Sequence, residues 1–589
     1  MSSTARQSET LGRFQSLVEE ALQKIEREEI VRRIWEKDAT VWKAEEAHQK
    51  IISNSLGWLN VTSLMSERVM ELKAFADEVR GTGFTHLMVL GMGGSSLCPE
   101  VFRRTFAHRE GYPELLVLDT TDPDTIDSFE QRLDLPNTLF IVASKSGTTI
   151  EPLSFYKYFF DRVQSLKGER AGENFVAITD PGTLMERMAR SAGFRRIFLN
   201  PSDIGGRYSA LSYFGMVPAA LMGVDVGELL SRARMAMEAC AAERPLQENP
   251  GARLGSIIGA LALEGRDKLT LVADERVSSL GLWIEQLVAE STGKEDKGVV
   301  PVVGEPVGVP DVYDDDRVFV AIQTSETDEE MESRLSALER AGYAVVRRNM
   351  GDPLSLGAEF FIWEMATAVA GALMQINPFD QPNVQESKDN TNQLLDEFKK
   401  KGALPAQTPQ VEEGELKIYG TKSVEDESPA QPDKLTLTRA ITELLNSHET
   451  GDYVALLAYL QETNEHDQLL QAIRTRLRDS LHVATTTGYG PRFLHSTGQL
   501  HKGGADSGIF LQLTDDDQRD LTIPGEPYTF SVLKEAQALG DFSSLASRNR
   551  RALRFHLGSD AEAGLKRLLD IVREATGHAD EQEPRSAQS

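Results

Sequence analysis

The sequence predicts an α/β protein: two doubly wound units with parallel sheets, followed by a third, C-terminal α/β domain. Three observations predict it. The chain has 589 residues, more than one hydrophobic core organises, so two to four domains are expected. Short apolar runs, several rich in Val and Ile, alternate with helical periodicity after the first 75 residues, as strands buried on both faces and joined by crossover helices do. The first four runs each end in Gly, Asp, Ser or Thr, the chemistry of a strand-to-helix turn.

Residues 1–75 read as helical, with amphipathic stretches at 14–30 and 40–51. The first α/β unit, 76–240, takes its strands from 86–90, 115–118, 139–143 and 175–178. The second, 241–400, takes them from 269–273, 318–322 and 344–346. Residues 401–434 change character: GALPAQTPQVEEGE and SVEDESPAQPDK are rich in Pro, Glu and small polar residues, which reads as a linker. In the third domain, 435–578, strands are expected at 453–457, 482–486 and 509–513, and helices at 546–556 and 562–575. The end, 579–589, reads as a disordered tail.

Composition narrows the function. A net charge of −28 argues against nucleic acid and acidic membranes as partners. No apolar run reads as a membrane span, and MSSTARQSETLGRF lacks the apolar core of a secretory signal. Two cysteines, Cys98 and Cys240, are too few for a disulfide framework or a zinc site of their own. A cytoplasmic protein is expected. Any phosphorylated ligand must be held by local donors against the global field, as helix N-termini and a few placed cations can do.

Five loops carry candidate chemistry. LMVLGMGGSSLCPEV is a buried strand, a glycine turn at Gly91–Gly94, then Ser95 and Ser96 at a helix start; it fits an anion site and equally a tight structural turn. In FIVASKSGTTIEP, Ser144, Lys145, Ser146, Gly147, Thr148 and Thr149 follow a strand and form a plausible phosphate cradle. In NPSDIGGRYSALSYFG, Gly205 and Gly206 let the backbone approach, and Arg207 can stabilise an oxyanion or serve as a surface ion-pair residue. WIEQLVAESTGKEDKGVV puts Glu290 at the end of an apolar helix with Gln286 on the same face; desolvation there makes a carboxylate a better base, and a solvent-facing glutamate is the alternative. In INPFDQPNVQESKDNTNQL, Lys388 falls in the second turn of a helix and by itself reads as solvated.

In this order the motifs resemble those of the glucose-6-phosphate isomerases, over roughly residues 40–395. Gly91–Ser95 is similar to the family's GxGGS loop, Ser144–Thr149 to SKxxTT, Gly205–Ser209 to GGRxS, and Gln286 with Glu290–Lys294 to QxxxES-N/T-GK. Phe379-Asp380-Gln381 with Lys388 is similar to FDQ followed by lysine. The match is greatest to the isomerase part of bacterial transaldolase–isomerase fusion proteins, although no transaldolase portion is recognisable here. The resemblance implies paired sugar-isomerase (SIS) αβα sandwiches. It implies a sugar-phosphate substrate held by Ser95, Ser144, Ser146 and Thr149, with Lys145 assisting and Gly94, Gly206, Gln286 and Gln381 lining the substrate. Glu290 then shuttles a proton between C2 and C1, Arg207 stabilises the enediolate, and Lys388 contacts the sugar near its ring. No metal and no cofactor are expected, and no HExxH or CxxC motif occurs. The family also implies a homodimer.

One departure stands out. The family's ring-opening histidine lies between the glutamate and FDQ motifs, and here no histidine occurs between His108 and His448. Glu359 falls in its place. The C-terminal run TTTGYGPRFLHSTGQLHKGG supplies two further candidates, His495 and His501. His501 ranks first, because GQLHKGG echoes the family's GQH segment; a structural role for either histidine is the alternative. Dual phosphoglucose/phosphomannose activity, or a non-catalytic SIS-domain sensor, are the competing functions.

Overall fold

Most central strands form where the sequence runs apolar on both faces, and the strands among the described residues assemble into three sheets. The computed structural model describes residues 6–324, 328–420 and 435–577. In chain order the strands are β1 (Arg6–Thr10), β2 (His86–Leu90), β3 (Glu114–Leu118), β4 (Thr138–Ala143), β5 (Phe175–Thr179) and β6 (Arg196–Leu199). Then come β7 (Lys268–Ala273), β8 (Val300–Val303), β9 (Arg317–Thr324) and β10 (Ala344–Gly351). The remainder are β11 (Val411–Glu413), β12 (Leu416–Gly420), β13 (Tyr453–Tyr459), β14 (Ala484–Tyr489), β15 (Gly508–Thr514) and β16 (Arg551–His556).

The first sheet runs β3-β2-β4-β5-β6 and is parallel throughout. Because β3 and β4 lie on opposite sides of β2, the winding reverses there. The loops leaving β2 and β4 therefore flank a crevice at the carboxyl edge, the place where open α/β sheets bind ligands. The second sheet runs β1-β10-β9-β7-β8, with β7–β10 parallel and β1 antiparallel on β10. In the third, β11-β12-β16-β15-β13-β14, the strands β13–β16 are parallel and the β11–β12 hairpin closes one edge. Two doubly wound units and a further α/β domain are thus present, as the sequence predicts.

Local details differ from the sequence reading. The N-terminal segment is not helical throughout, because β1 adds itself to the edge of the second sheet. Residues 546–556 are not a helix. The helix Phe530–Ser547 ends, Asn549 turns the chain in the left-handed region at φ 55°, and β16 pairs with β15; sheet pairing overrides the helical propensity of Ala, Leu and Arg. Part of the expected linker is sheet, since β11 and β12 hydrogen-bond to each other and β12 to β16. Residues 421–434 and the tail 579–589 lie outside the described residues. Four-residue β6 and β8 are too short for a recognisable apolar run.

Among the described residues one helical segment, Pro353–Met374, is long and apolar enough to cross a membrane, but it is buried inside the fold, as the core helix of a globular protein is. Its main neighbour, the helix Pro250–Leu263, presents Gly251, Gly255 and Gly259 at four-residue spacing. A methyl on Gly255 would lie 2.5 Å from the Ala366 carbonyl oxygen, so the stripe of glycines is what lets the two backbones approach.

The third domain docks on the second through a buried ion pair. Arg317 Nη1 lies 3.0 Å from Glu305 Oε1, with both side chains fully enclosed. Arg317 Nη2 donates to the Val483 carbonyl (3.1 Å), and Thr485 donates to Glu305 Oε2 from its hydroxyl (2.7 Å) and backbone (3.2 Å). Removing one partner strands a buried charge. Glu305→Ala is expected to cost about 3–5 kcal/mol in denaturant unfolding; a loss below about 1 kcal/mol would show that this pair does not hold the interface.

Candidate active site

The crevice at the β2/β4 reversal is lined from both sides. After β4, Ser144 accepts the Gly147 N–H (3.1 Å), and Ser146 accepts from the Thr148 backbone and hydroxyl (3.3 and 3.1 Å). Gly147 sits at φ 66°, a turn that only glycine adopts cheaply. Thr149 precedes the helix Ile150–Lys167 without its hydroxyl capping the first turn, which leaves those N–H groups and the helix dipole available to an anion. Ser146, Thr148 and Thr149 share a cavity of about 400 Å³ with Gln381, Lys388 and His495.

After β2, the Gly93–Ser95 turn packs against three other segments. A methyl on Gly94 would sit 2.1 Å from the Gly206 carbonyl oxygen, and one on Gly93 would meet Gln286 Nε2 at 2.8 Å and His495 Cβ at 3.0 Å. These glycines are needed for close approach. They bring the first sheet's edge against Arg207 and the helix Leu280–Thr292, which carries Glu290.

Glu290 and Arg207 are both buried. Arg207 Nη1 lies 3.3 Å from Glu290 Oε1 and donates to Gln381 Oε1 at 3.0 Å. Its Nε donates to Ser291 (2.7 Å), and Nη2 to the carbonyls of Pro378 (2.8 Å) and Asp380 (2.9 Å). Gln286 Nε2 donates to Glu290 Oε2 at 3.2 Å and to the His495 carbonyl at 2.7 Å. Both contacts are acceptors, which fixes the amide orientation. The Gln286 Oε1 atom is buried without a hydrogen-bond partner among the described residues. Lys294 holds the 377–381 loop by donating to Asn377 O, Asp380 O and Asp380 Oδ1 at 2.6–2.8 Å. Burial pulls its ammonium down to about 8, even with Asp380 beside it.

The C-terminal domain completes the crevice. His495 ends the short turn after β14, and its Nε2 lies 3.0 Å from Glu151 Oε1. Burial raises the Glu151 carboxyl, but the His495 imidazole and its hydrogen bond outweigh that and hold it below the usual carboxylate range. Gln537 Nε2 donates to the same oxygen at 2.7 Å. A few residues away, Gln499 donates to Gly293 O (2.9 Å) and accepts the Asn383 N–H (2.8 Å), clamping the end of the Glu290 helix.

Comparison with known proteins bears on the family and the fold. The phosphoglucose isomerase family model matches residues 16–302. A glucose-6-phosphate isomerase of Cyanothece sp. is 30% identical over 374 residues, covering 55% of this chain and 69% of that one. The chain belongs to the phosphoglucose isomerase family. A relative of the same description from Carboxydothermus hydrogenoformans is 29% identical over 59% of this chain and 86% of its own length. Among solved structures, a hypothetical protein from Thermus thermophilus (TM-score 0.57, 26% identity) covers 66% of this chain and 99% of its own. A glucose-6-phosphate isomerase from Chlamydia trachomatis shares the fold at TM-score 0.52 and 20% identity, over 68% of this chain and 90% of its own. The protein is therefore an aldose–ketose isomerase of this family.

Three residues expected at the site lie elsewhere. Lys145 turns from the phosphate loop to pair with Asp180 and donate to the Ser202 carbonyl (2.9 Å), because a carboxylate outcompetes neutral hydroxyls for an ammonium. Glu359 has both oxygens on Arg348 at 2.6 and 2.7 Å, fully buried beside β10, so it cannot serve ring opening. His501 is enclosed by Tyr453, Phe493 and Phe510, and neither ring nitrogen has a partner. Burial, then the charges of Lys502 and Arg550, holds its imidazole well below the ordinary value. It is a neutral core residue.

Sequence reasoning missed Glu151, Gln537 and the clamp of Gln499. Glu151 had a signal: a carboxylate in the first turn directly after an anion loop needs its own partner. Gln537, in the middle of the helix Phe530–Ser547, had none.

Behind the Glu290 helix lies a second cavity of about 550 Å³ that holds none of the phosphate-loop residues. Glu285 lines it, buried, with Ser496 Oγ at 3.4 Å as its hydrogen-bond partner. Burial pushes its carboxyl from 4.5 up to about 7, against the pull of Arg474, Ser496 and Arg492. The folded state thus holds the proton more tightly than the unfolded chain. The resulting stability is full below pH 4.5 and lost as pH rises through 7. The thermal midpoint should fall across that window, and Glu285→Gln should flatten the fall; parallel curves for the two proteins would contradict this.

Proposed function

We propose that the protein interconverts glucose 6-phosphate and fructose 6-phosphate, as the names of its relatives describe for them. The observation that carries the reading is the shared cavity: hydroxyls of an anion loop, a His495–Glu151 pair, Gln381 and Lys388 line one space, and Gln381 touches Arg207 beside Glu290. In this reading Ser146, Thr148 and Thr149 hold the phosphate, with Ser95 and Ser144 supporting their loops. Binding at a distance from the reacting carbons supplies orientation.

Ring opening falls to His495. Glu151 accepts its Nε2–H, so Nδ1 is free to exchange a proton with the ring oxygen or the C1 hydroxyl. Lys388 stands near Glu151, adding positive charge where the ring oxygen gains negative charge. Glu290 then takes the C2 proton and returns it to C1, and Arg207 lowers the energy of the enediolate oxygen. The Gln286 carbonyl oxygen accepts a sugar hydroxyl. Because His495 comes from the same chain, the site does not need a second subunit for ring opening.

A coupled assay with glucose 6-phosphate, fructose 6-phosphate and, for C2 selectivity, mannose 6-phosphate tests the assignment. Glu290→Gln should lower kcat by about 10²–10⁴-fold while a phosphorylated competitive inhibitor still binds; normal turnover would sink the role of Glu290. His495→Ala should slow ring-form substrate and spare a four-carbon aldose phosphate, whose phosphorylated terminus leaves no hydroxyl free to close a stable ring. Equal losses on both would remove His495 from ring opening.

A further inference from the structure

Besides His495, the C-terminal domain contributes a second polar side chain to this cavity. Gln537 is almost fully buried, and its amide lies between residues of the first domain. Thr121, in the loop after β3, donates its hydroxyl to Gln537 Oε1 at 2.7 Å. Gln537 Nε2 in turn donates to Glu151 Oε1 at 2.7 Å, the oxygen that His495 Nε2 approaches at 3.0 Å. The run Thr121–Gln537–Glu151–His495 therefore crosses the domain interface at every step.

The chemistry of each group fixes the direction of the run. An ionised carboxylate only accepts hydrogen bonds, so the NH₂ side of Gln537 must face Glu151. Its oxygen then faces Thr121, whose hydroxyl donates to it. Two N–H donors converging on one carboxylate oxygen favour the anion. That anion keeps the His495 proton on Nε2 and leaves Nδ1 toward the substrate. Burial works in the opposite sense and would protonate Glu151. The charged and titratable groups facing Glu151 are His495, Lys388 and Tyr459; Gln537 is the uncharged donor among its neighbours.

We propose that Gln537 is a positioning residue for ring opening, holding Glu151 ionised and oriented so that His495 presents Nδ1 to the sugar. The proposal rests on the assignment of ring opening to His495. It makes the C-terminal domain a supplier of two elements of the reaction rather than one, and it gives Thr121 a purpose that no sequence motif assigns.

The test compares Gln537→Leu, Thr121→Val and His495→Ala in the full-length protein, using glucose 6-phosphate and a four-carbon aldose phosphate across about pH 5–9. Gln537→Leu should lower kcat on the ring form by about ten-fold or more, with KM and four-carbon turnover little changed. The acidic limb of its pH profile should move up by about one unit, because Glu151 protonates more readily once the amide is gone. Thr121→Val leaves the C-terminal domain intact and should move the limb the same way by less, which keeps the question open to test if Gln537→Leu does not fold. Gln537→Glu, which sets a second carboxylate against Glu151, should move it further than Gln537→Leu. A selective ring-form loss in His495→Ala, with wild-type limbs and substrate ratios in the Gln537 and Thr121 variants, overturns the role of Gln537 alone. No selective loss in His495→Ala overturns the ring-opening assignment, and this proposal with it.

Discussion

The Arg207 guanidinium is the constraint on which the site depends. It is buried, and a buried cation is tolerated only when its donors are met. Its contacts are Ser291, Gln381, the carbonyls of Pro378 and Asp380, and the Glu290 carboxylate. Those partners come from the end of one helix and from the loop before another. Satisfying one arginine therefore requires both segments to be in place at once. The contact between Gly94 and the Gly206 backbone then ties the first sheet to the same point. The guanidinium is held there by structural necessity before any ligand arrives.

A second constraint is the meeting of two carboxyl edges. The loops after β3 and β4 in the first sheet face those after β13 and β14 in the third. Arg492 bridges Asp119 and Glu462 at 2.9 Å each, and Thr120 donates to the Gly490 carbonyl at 3.3 Å. Lys534 reaches Asp122 at 3.0 Å. The Lys534–Asp122 pair is buried and the Arg492 pairs are partly so; a buried pair adds little net stability over apolar packing, yet it is costly to break and fixes a single geometry. That suits an interface which must set His495 against Glu151 within hydrogen-bond distance.

The second cavity, behind Glu290, follows from the same architecture. The helix Leu280–Thr292 is buried almost throughout, so its two polar faces must each find a setting. Gln286 and Glu290 face Arg207 and His495. Glu285 faces the space under the third domain, where burial outweighs the pull of Arg474, Ser496 and Arg492 on its proton affinity.

Much of the fold was legible because parallel sheets leave a strong trace: apolar runs of strand length, each closed by turn residues. Legibility failed where a strand was short, as in β6 and β8, or where pairing rather than propensity decided the state, as in β1 and β16. For the site, local motifs sufficed to nominate Glu290, Arg207 and the 144–149 loop, because anion binding and oxyanion stabilisation demand particular residues at particular turns. The sequence by itself thus determined the sheet-and-loop framework and the residue types of the isomerase chemistry. Only the tertiary structure gave His495 and His501 different surroundings, although they lie close together in one short segment: one meets a carboxylate across a domain interface, the other is sealed among aromatic rings. It likewise turned Lys145 to Asp180 and gave Glu359 to Arg348. These outcomes depend on which charge a folded chain brings within a few ångströms, and that distance is not written in the order of residues.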